Sequence, residues 1–219
     1  MRDTTTTDRG QAYTLEGFIS AMIVLMALLF ALQSVVITPT TGGLADRTVE
    51  AQMQQETQDA LMIAATADED GSNLSKMVRY WDPDEDEFYN ATDSGHGNYE
   101  PTRDSELYDE FILGQIMVDR FTESGMSYNI ELVAQDENGE FDDENSTYLV
   151  YQGESEAVTA SYTVTLYEDD TLTIPEEEEH SDKTVREAEG LNYPIPPAHE
   201  DDGDNPEVYN VVEVRISIW

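Results

Sequence analysis

Gly17 to Ile37 (GFISAMIVLMALLFALQSVVI) is a run of 21 residues without a charge. As an α-helix rising about 1.5 Å per residue it extends roughly 31 Å, the depth of a bilayer core. The pattern therefore predicts a membrane-spanning helix, with Ser20, Gln33 and Ser34 as tolerable polar members. Thr38-Pro39-Thr40-Thr41-Gly42-Gly43 breaks it, because proline restricts the residue before it and the glycines add freedom. A second helix is expected over 44–67. Val49, Met53, Ala60 and Ala64 recur there at helical spacing with Leu61 alongside, and Glu50, Gln54, Gln55, Gln58 and Asp59 fill the other face. Residues 68–103 read as polar and turn-rich. A third helix over 105–122 is expected to bury Leu107, Tyr108, Phe111, Ile112, Gln115, Ile116 and Phe121 on one face.

Beyond Met126 the period changes from helical to two. Met126, Tyr128, Ile130 and Leu132 alternate with Ser127, Asn129 and Glu131. Thr147–Gln152 reads as a short apolar strand. Val158, Ala160, Tyr162, Val164 and Leu166 alternate with threonines and Ser161, and Thr171–Ile174 is expected to pair back through the turn at Glu168-Asp169-Asp170. Val212, Val214, Ile216 and Ile218 alternate with Glu213, Arg215 and Ser217, which ties the last residues into the sheet. Segments 134–146 and 175–207 read as loops, long ones for a compact domain. The fold class that follows is α+β: a long hydrophobic N-terminal helix, then a domain with an antiparallel β-sheet and one or two packed helices.

Composition changes the picture in two ways. The 219 residues hold 48 Asp+Glu against 10 Lys+Arg, a net charge of −38. So much negative charge argues against nucleic acid as a partner. Only Lys76 and Lys183 are lysines, and many acids with few lysines is the composition expected of a protein working in near-saturating salt. There the screening length falls to about 3 Å and self-repulsion is largely removed. The absence of cysteine excludes disulfides, thiolate metal sites, a cysteine nucleophile and a lipid anchor on cysteine.

The leader adds a motif. Arg9-Gly10-Gln11-Ala12-Tyr13-Thr14-Leu15-Glu16-Gly17-Phe18, followed at once by the apolar run, resembles the class III signal peptide of type IV pilins and archaeal pilin-like proteins. With the acidic composition, the sequence looks like a haloarchaeal pilin-like protein. The resemblance covers about residues 1–43. It implies that a prepilin peptidase removes a leader, residues 1–10, and that the helix over 11–43 is kept for assembly. The acidic residues 44–219 would then form an extracytoplasmic domain, with the cell membrane and other pilin-like subunits as partners. Cleavage after Gly10 follows the family's glycine rule and makes Glu16 sixth; cleavage after Gln11 puts Ala12 first and Glu16 fifth, where the family places its glutamate. A lone carboxylate at the mouth of an apolar helix is costly unless paired. Glu16 would pair with a neighbouring subunit's new α-amino group and set the register between helices.

Other chemistry is sparse. Asn73-Leu74-Ser75, Asn90-Ala91-Thr92 and Asn145-Ser146-Thr147 are glycosylation sequons. Asp136–Glu144 has the acids of a calcium loop but lacks its bidentate glutamate at the required spacing. His96, His180 and His199 are scattered through loops. No phosphate loop, nucleophile elbow or metalloprotease motif is visible, so no enzymatic activity, metal or cofactor is expected. The function expected is a structural, pilin-like subunit of a surface filament or pilus-related machine. The alternative is a single-pass membrane-anchored extracellular binding module that does not polymerise.

Overall fold

The computed structural model describes residues 5–34, 41–67, 73–91, 97–155, 157–176, 178–198 and 208–219, with the helical backbone alone over 5–13, 31–34 and 41–46. It divides into two compact units, Met1–Val49 and Glu50–Trp219.

In the first unit, α1 runs Thr5–Ser34. Every side chain from Thr14 to Phe30 is exposed. Among the described residues, no helix is long and apolar enough to cross a membrane. The expectation of a membrane-spanning helix over Gly17–Ile37 is therefore corrected. The uncharged stretch whose side chains are described, Gly17–Phe30, is about 21 Å long at a rise of 1.5 Å per residue, short of a core of roughly 30 Å. Residues 35–37, which would have lengthened it, lie outside the described residues.

The helix α2 spans Thr41–Ala65, and from Glu50 onward it belongs to the second unit. Thr57, Ala60, Leu61 and Ala64 are buried, whereas Val49, expected on the apolar stripe, is exposed. Thr57 avoids an orphan hydroxyl by donating to the Met53 carbonyl at 2.7 Å.

Four strands make the main sheet, ordered β4-β3-β6-β5 and antiparallel throughout. They are β3 (Tyr128–Gln135), β4 (Phe141–Val150), β5 (Val158–Tyr167) and β6 (Val208–Ile218). The C-terminal strand is thus central. Its register sets Ile216 beside Ile130 and Ala160, and Val214 beside Leu132 and Tyr162. Ile130, Leu132, Val212, Val214, Ile216 and Ile218 are all completely buried, so the period-two pattern does mark the core face. On the opposite face Arg215 bonds Glu213 at 2.8 Å, Asp143 at 2.9 Å and Glu131 at 3.3 Å. Burial alone would lower the Arg215 pKa, but the bonds from Asp143 and Glu213 and the neighbouring carboxylate charges raise it. The edge strand β5 is covered by α2: Gln54 and Gln58 donate to the carbonyls of Thr159 and Ser161.

The third helix is broken. It is α4 (Glu106–Glu110), then Phe111 in extended conformation, then α5 (Ile112–Met117) continued by a π-turn over Val118–Thr122. The break rotates the inward face. Leu113, Met117 and Phe121 are buried with Leu107 and Phe111, while Tyr108, Ile112 and Ile116 are partly exposed and Gln115 faces solvent. Gly114 makes this packing feasible, because a Cβ there would overlap the Leu107 carbonyl.

The segments expected as polar loops add to the core. Residues 73–91 hold the short helix α3 (Leu74–Val78) and a hairpin of β1 (Trp81–Asp82) and β2 (Glu87–Phe88). Trp81 meets Phe88 edge-on at 5.4 Å between ring centroids, and Tyr80 meets Phe111 at 5.1 Å. Thr171 does not pair back on β5; it bridges to Thr184, ahead of the short helix α6 (Val185–Ala188). Val185, Tyr193 and Ile195 follow into the core. Buried Tyr193 and Tyr209 donate to the carbonyls of Val78 and Ile195. Tyr89, bonded to Glu178 at 2.8 Å and partly desolvated, has its pKa pushed up to about 12; burial pushes Tyr128 up to about 12 as well.

Candidate functional site

The sheet domain satisfies its apolar residues; α1 does not. The large apolar side chains from Leu15 to Phe30 are each between 49% and 72% exposed. They lie all round the helix, so one face cannot be the core side and the other the water side. Phe18, Ala21, Met22, Leu25, Met26 and Leu29 line a shallow apolar trough along it, at the three- and four-residue spacing of one helix face. Glu16 is exposed two residues before the trough begins at Phe18. Burying half of this surface is worth on the order of 10 kcal/mol before the costs of association. An exposed apolar surface of this extent makes α1 the candidate interaction site.

The residues expected to take part in leader processing, Arg9, Gly10, Gln11 and Ala12, lie on the backbone of α1; their side chains are outside the described residues. With Glu16 they share one continuous helix. The three sequon asparagines do not come together. Asn73 caps α3, its Oδ1 accepting from the Lys76 amide at 2.8 Å. Asn90 is exposed in a turn at φ 55, and its Thr92 lies outside the described residues. Asn145 is partly exposed on the edge strand β4.

The chain belongs to the DUF7288 family. The model of this family of unknown function matches residues 9–218, which takes in α1 from Arg9 onward and all four strands of the main sheet. No curated protein matches the chain, and no solved structure does. The match begins at Arg9, so α1 and the sheet domain belong to one family unit.

The acidic runs have local roles. Asp136 holds the β3–β4 turn, accepting from the amides of Asn138 and Glu140 at 2.9 and 2.8 Å. The bond from the Asn138 side chain, together with these amide bonds, lowers its pKa. The resemblance of 136–144 to a calcium loop is therefore a hairpin turn entering β4. In the run 82–87, Asp82 accepts from the Asp84 amide at 2.9 Å and closes the β1–β2 hairpin. His180 lies 3.4 Å from Asp84, while His96 and His199 are outside the described residues.

Sequence reasoning missed the polar groups placed by long-range packing. Gln54 and Gln58 read as solvent-facing, yet they cover a sheet edge. Arg79 joins two distant segments through the Thr171 carbonyl at 2.6 Å. Nothing in local spacing signals either contact.

Proposed function

We propose that the protein is a structural, pilin-like subunit that assembles through α1 into a surface filament or pilus-related machine. The observation that carries the proposal is the exposure of α1 on every side over Thr14–Phe30. Helices of neighbouring subunits pack their apolar surfaces together, and the acidic sheet domains face outward. A prepilin peptidase removes the leader near Gly10–Gln11, and Glu16 pairs with the α-amino group of the adjacent subunit. The pairing of opposite charges in an apolar bundle fixes axial register, because a shifted helix leaves a carboxylate unpaired.

Two experiments test this reading. N-terminal sequencing of the native protein is expected to start at Gln11 or Ala12; an intact Met1 contradicts processing. The chain has no cysteine, so Leu25→Cys introduces a single thiol. Oxidation is expected to trap disulfide-linked dimers through the helices. A chain that stays monomeric after oxidation, at concentrations where the sheet domain is folded, contradicts helix-mediated assembly.

A further inference from the structure

Ten basic residues serve the whole chain, and two of them, Lys76 and Arg79, line one polar groove of about 590 Å³. The groove lies between α3, the end of β5 and the turn that follows it, with Thr165, Tyr167 and Asp170 on its other wall. Two of its charged groups, Arg79 and Asp170, are held in place. Arg79 donates from Nε to the Ser75 carbonyl at 3.2 Å and from Nη1 to the Thr171 carbonyl at 2.6 Å. Asp170 accepts from the Tyr167 amide at 2.8 Å, which fixes the turn.

Several groups keep unspent capacity. A guanidinium has five donors, and Arg79 uses three of them, one in a long 3.4 Å bond to the Ser75 hydroxyl. The Lys76 ammonium meets Glu110 only at 3.7 Å. Among the described residues the hydroxyls of Thr165 and Tyr167 bond no protein group, and Tyr167 is 48% exposed. The second oxygen of Asp170 is available as an acceptor. One aromatic ring, two hydroxyls, one acceptor and two cations thus line the two walls of a single groove.

We propose that this groove binds an acidic saccharide, with its carboxylate on Lys76 and Arg79 and a sugar ring over Tyr167. Arg donors match a carboxylate. A mix of donors and acceptors matches vicinal hydroxyls, which both donate and accept. Asp170 in the wall disfavours an anion with more than one charge on a single centre, such as phosphate, more than a uronate chain that carries one charge per sugar ring. None of these residues belongs to α1, so binding and assembly are separate readouts.

The test is calorimetric titration of the full-length chain, in molar salt with mild detergent, on protein whose intact mass equals that of the bare polypeptide. The probes are a galacturonate tetrasaccharide, a neutral glucose tetrasaccharide and inorganic phosphate. The uronate is expected to bind saturably with a Kd of about 1 mM or tighter, and the other two at least about tenfold more weakly. Tyr167→Ala and Lys76→Gln are each expected to weaken uronate binding about tenfold without changing the melting temperature, whereas Arg79 is left intact because it also holds Thr171. The proposal is overturned by no saturable uronate binding, by equal binding of the neutral sugar or phosphate, or by unchanged affinity in both variants.

Discussion

α1 and the strands β3 and β6 are comparably apolar, but their side chains have opposite surroundings. Ile130, Leu132, Val214 and Ile216 lie fully buried within their own domain. Met22, Leu25 and Phe30 stay more than half exposed. The difference is one of period. Alternation gives a strand one apolar face, which a single sheet domain can cover. A helix apolar all round has no polar side to turn to water, so it is satisfied only by surfaces on several sides. The first arrangement lets the domain cover its own apolar residues; the second leaves α1 with none of its described side chains covered.

That contrast can be broken from either side. The largest effect is expected from Met22→Glu combined with Leu25→Glu, which places two charges in the apolar trough. Assembly is expected to be lost entirely, while thermal unfolding of the sheet domain is unchanged; calorimetry and light scattering on the same sample check both. Next comes the opposite perturbation. Ile216→Ala in the central strand is expected to cost about 3–4 kcal/mol of sheet-domain stability, and Gly114→Ala about 1–3 kcal/mol through the overlap with Leu107. Denaturant titration of each measures this, and neither should alter cross-linking through α1 below the melting temperature.

A pH effect separates the two regions without mutation. The pKa values of Tyr89 and Tyr128 are raised from 10.0 to about 12 in the folded state. Raised pKa values mean that the folded state holds its phenol protons more tightly. The stability they contribute is complete below about pH 10 and is lost as pH rises toward 12. Tyrosinate absorbance is expected to rise together with loss of sheet signal in that window. The smallest effect concerns charge. Arg215→Gln leaves Glu131 and Glu213 without their cation and is expected to cost about 1–2 kcal/mol in dilute salt. In molar salt the loss shrinks in part, because salt screens the repulsion between the two carboxylates less than it would if they were fully exposed. Melting temperatures at two salt concentrations measure it.

The sequence made the sheet largely legible, because period two survives wherever one face is buried. Val212 to Ile218 and Ile130 to Leu132 therefore stand where the alternation puts them. The helix over 105–122 was legible only in its existence. Its break at Phe111 depends on the fit of Gly114 against Leu107, a contact that periodicity cannot report. The segments 68–103 and 175–207 look like loops because their buried residues, Tyr80, Trp81, Tyr193 and Ile195, are isolated among polar ones. Of the candidate site, the apolar length and Glu16 were visible. The membrane-spanning length expected over Gly17–Ile37 is not met among the described residues, whose side chains in this run end at Phe30. The groove at Arg79 was not legible, because its walls come from residues nearly a hundred positions apart.

Analytical sedimentation in molar salt tests the central claim most directly, comparing the full-length chain with the fragment 50–219 at equal concentration. The full-length chain is expected to sediment as large assemblies and the fragment as a folded monomer. A full-length chain that sediments as a monomer without detergent, or a fragment that assembles equally well, would contradict assembly through α1.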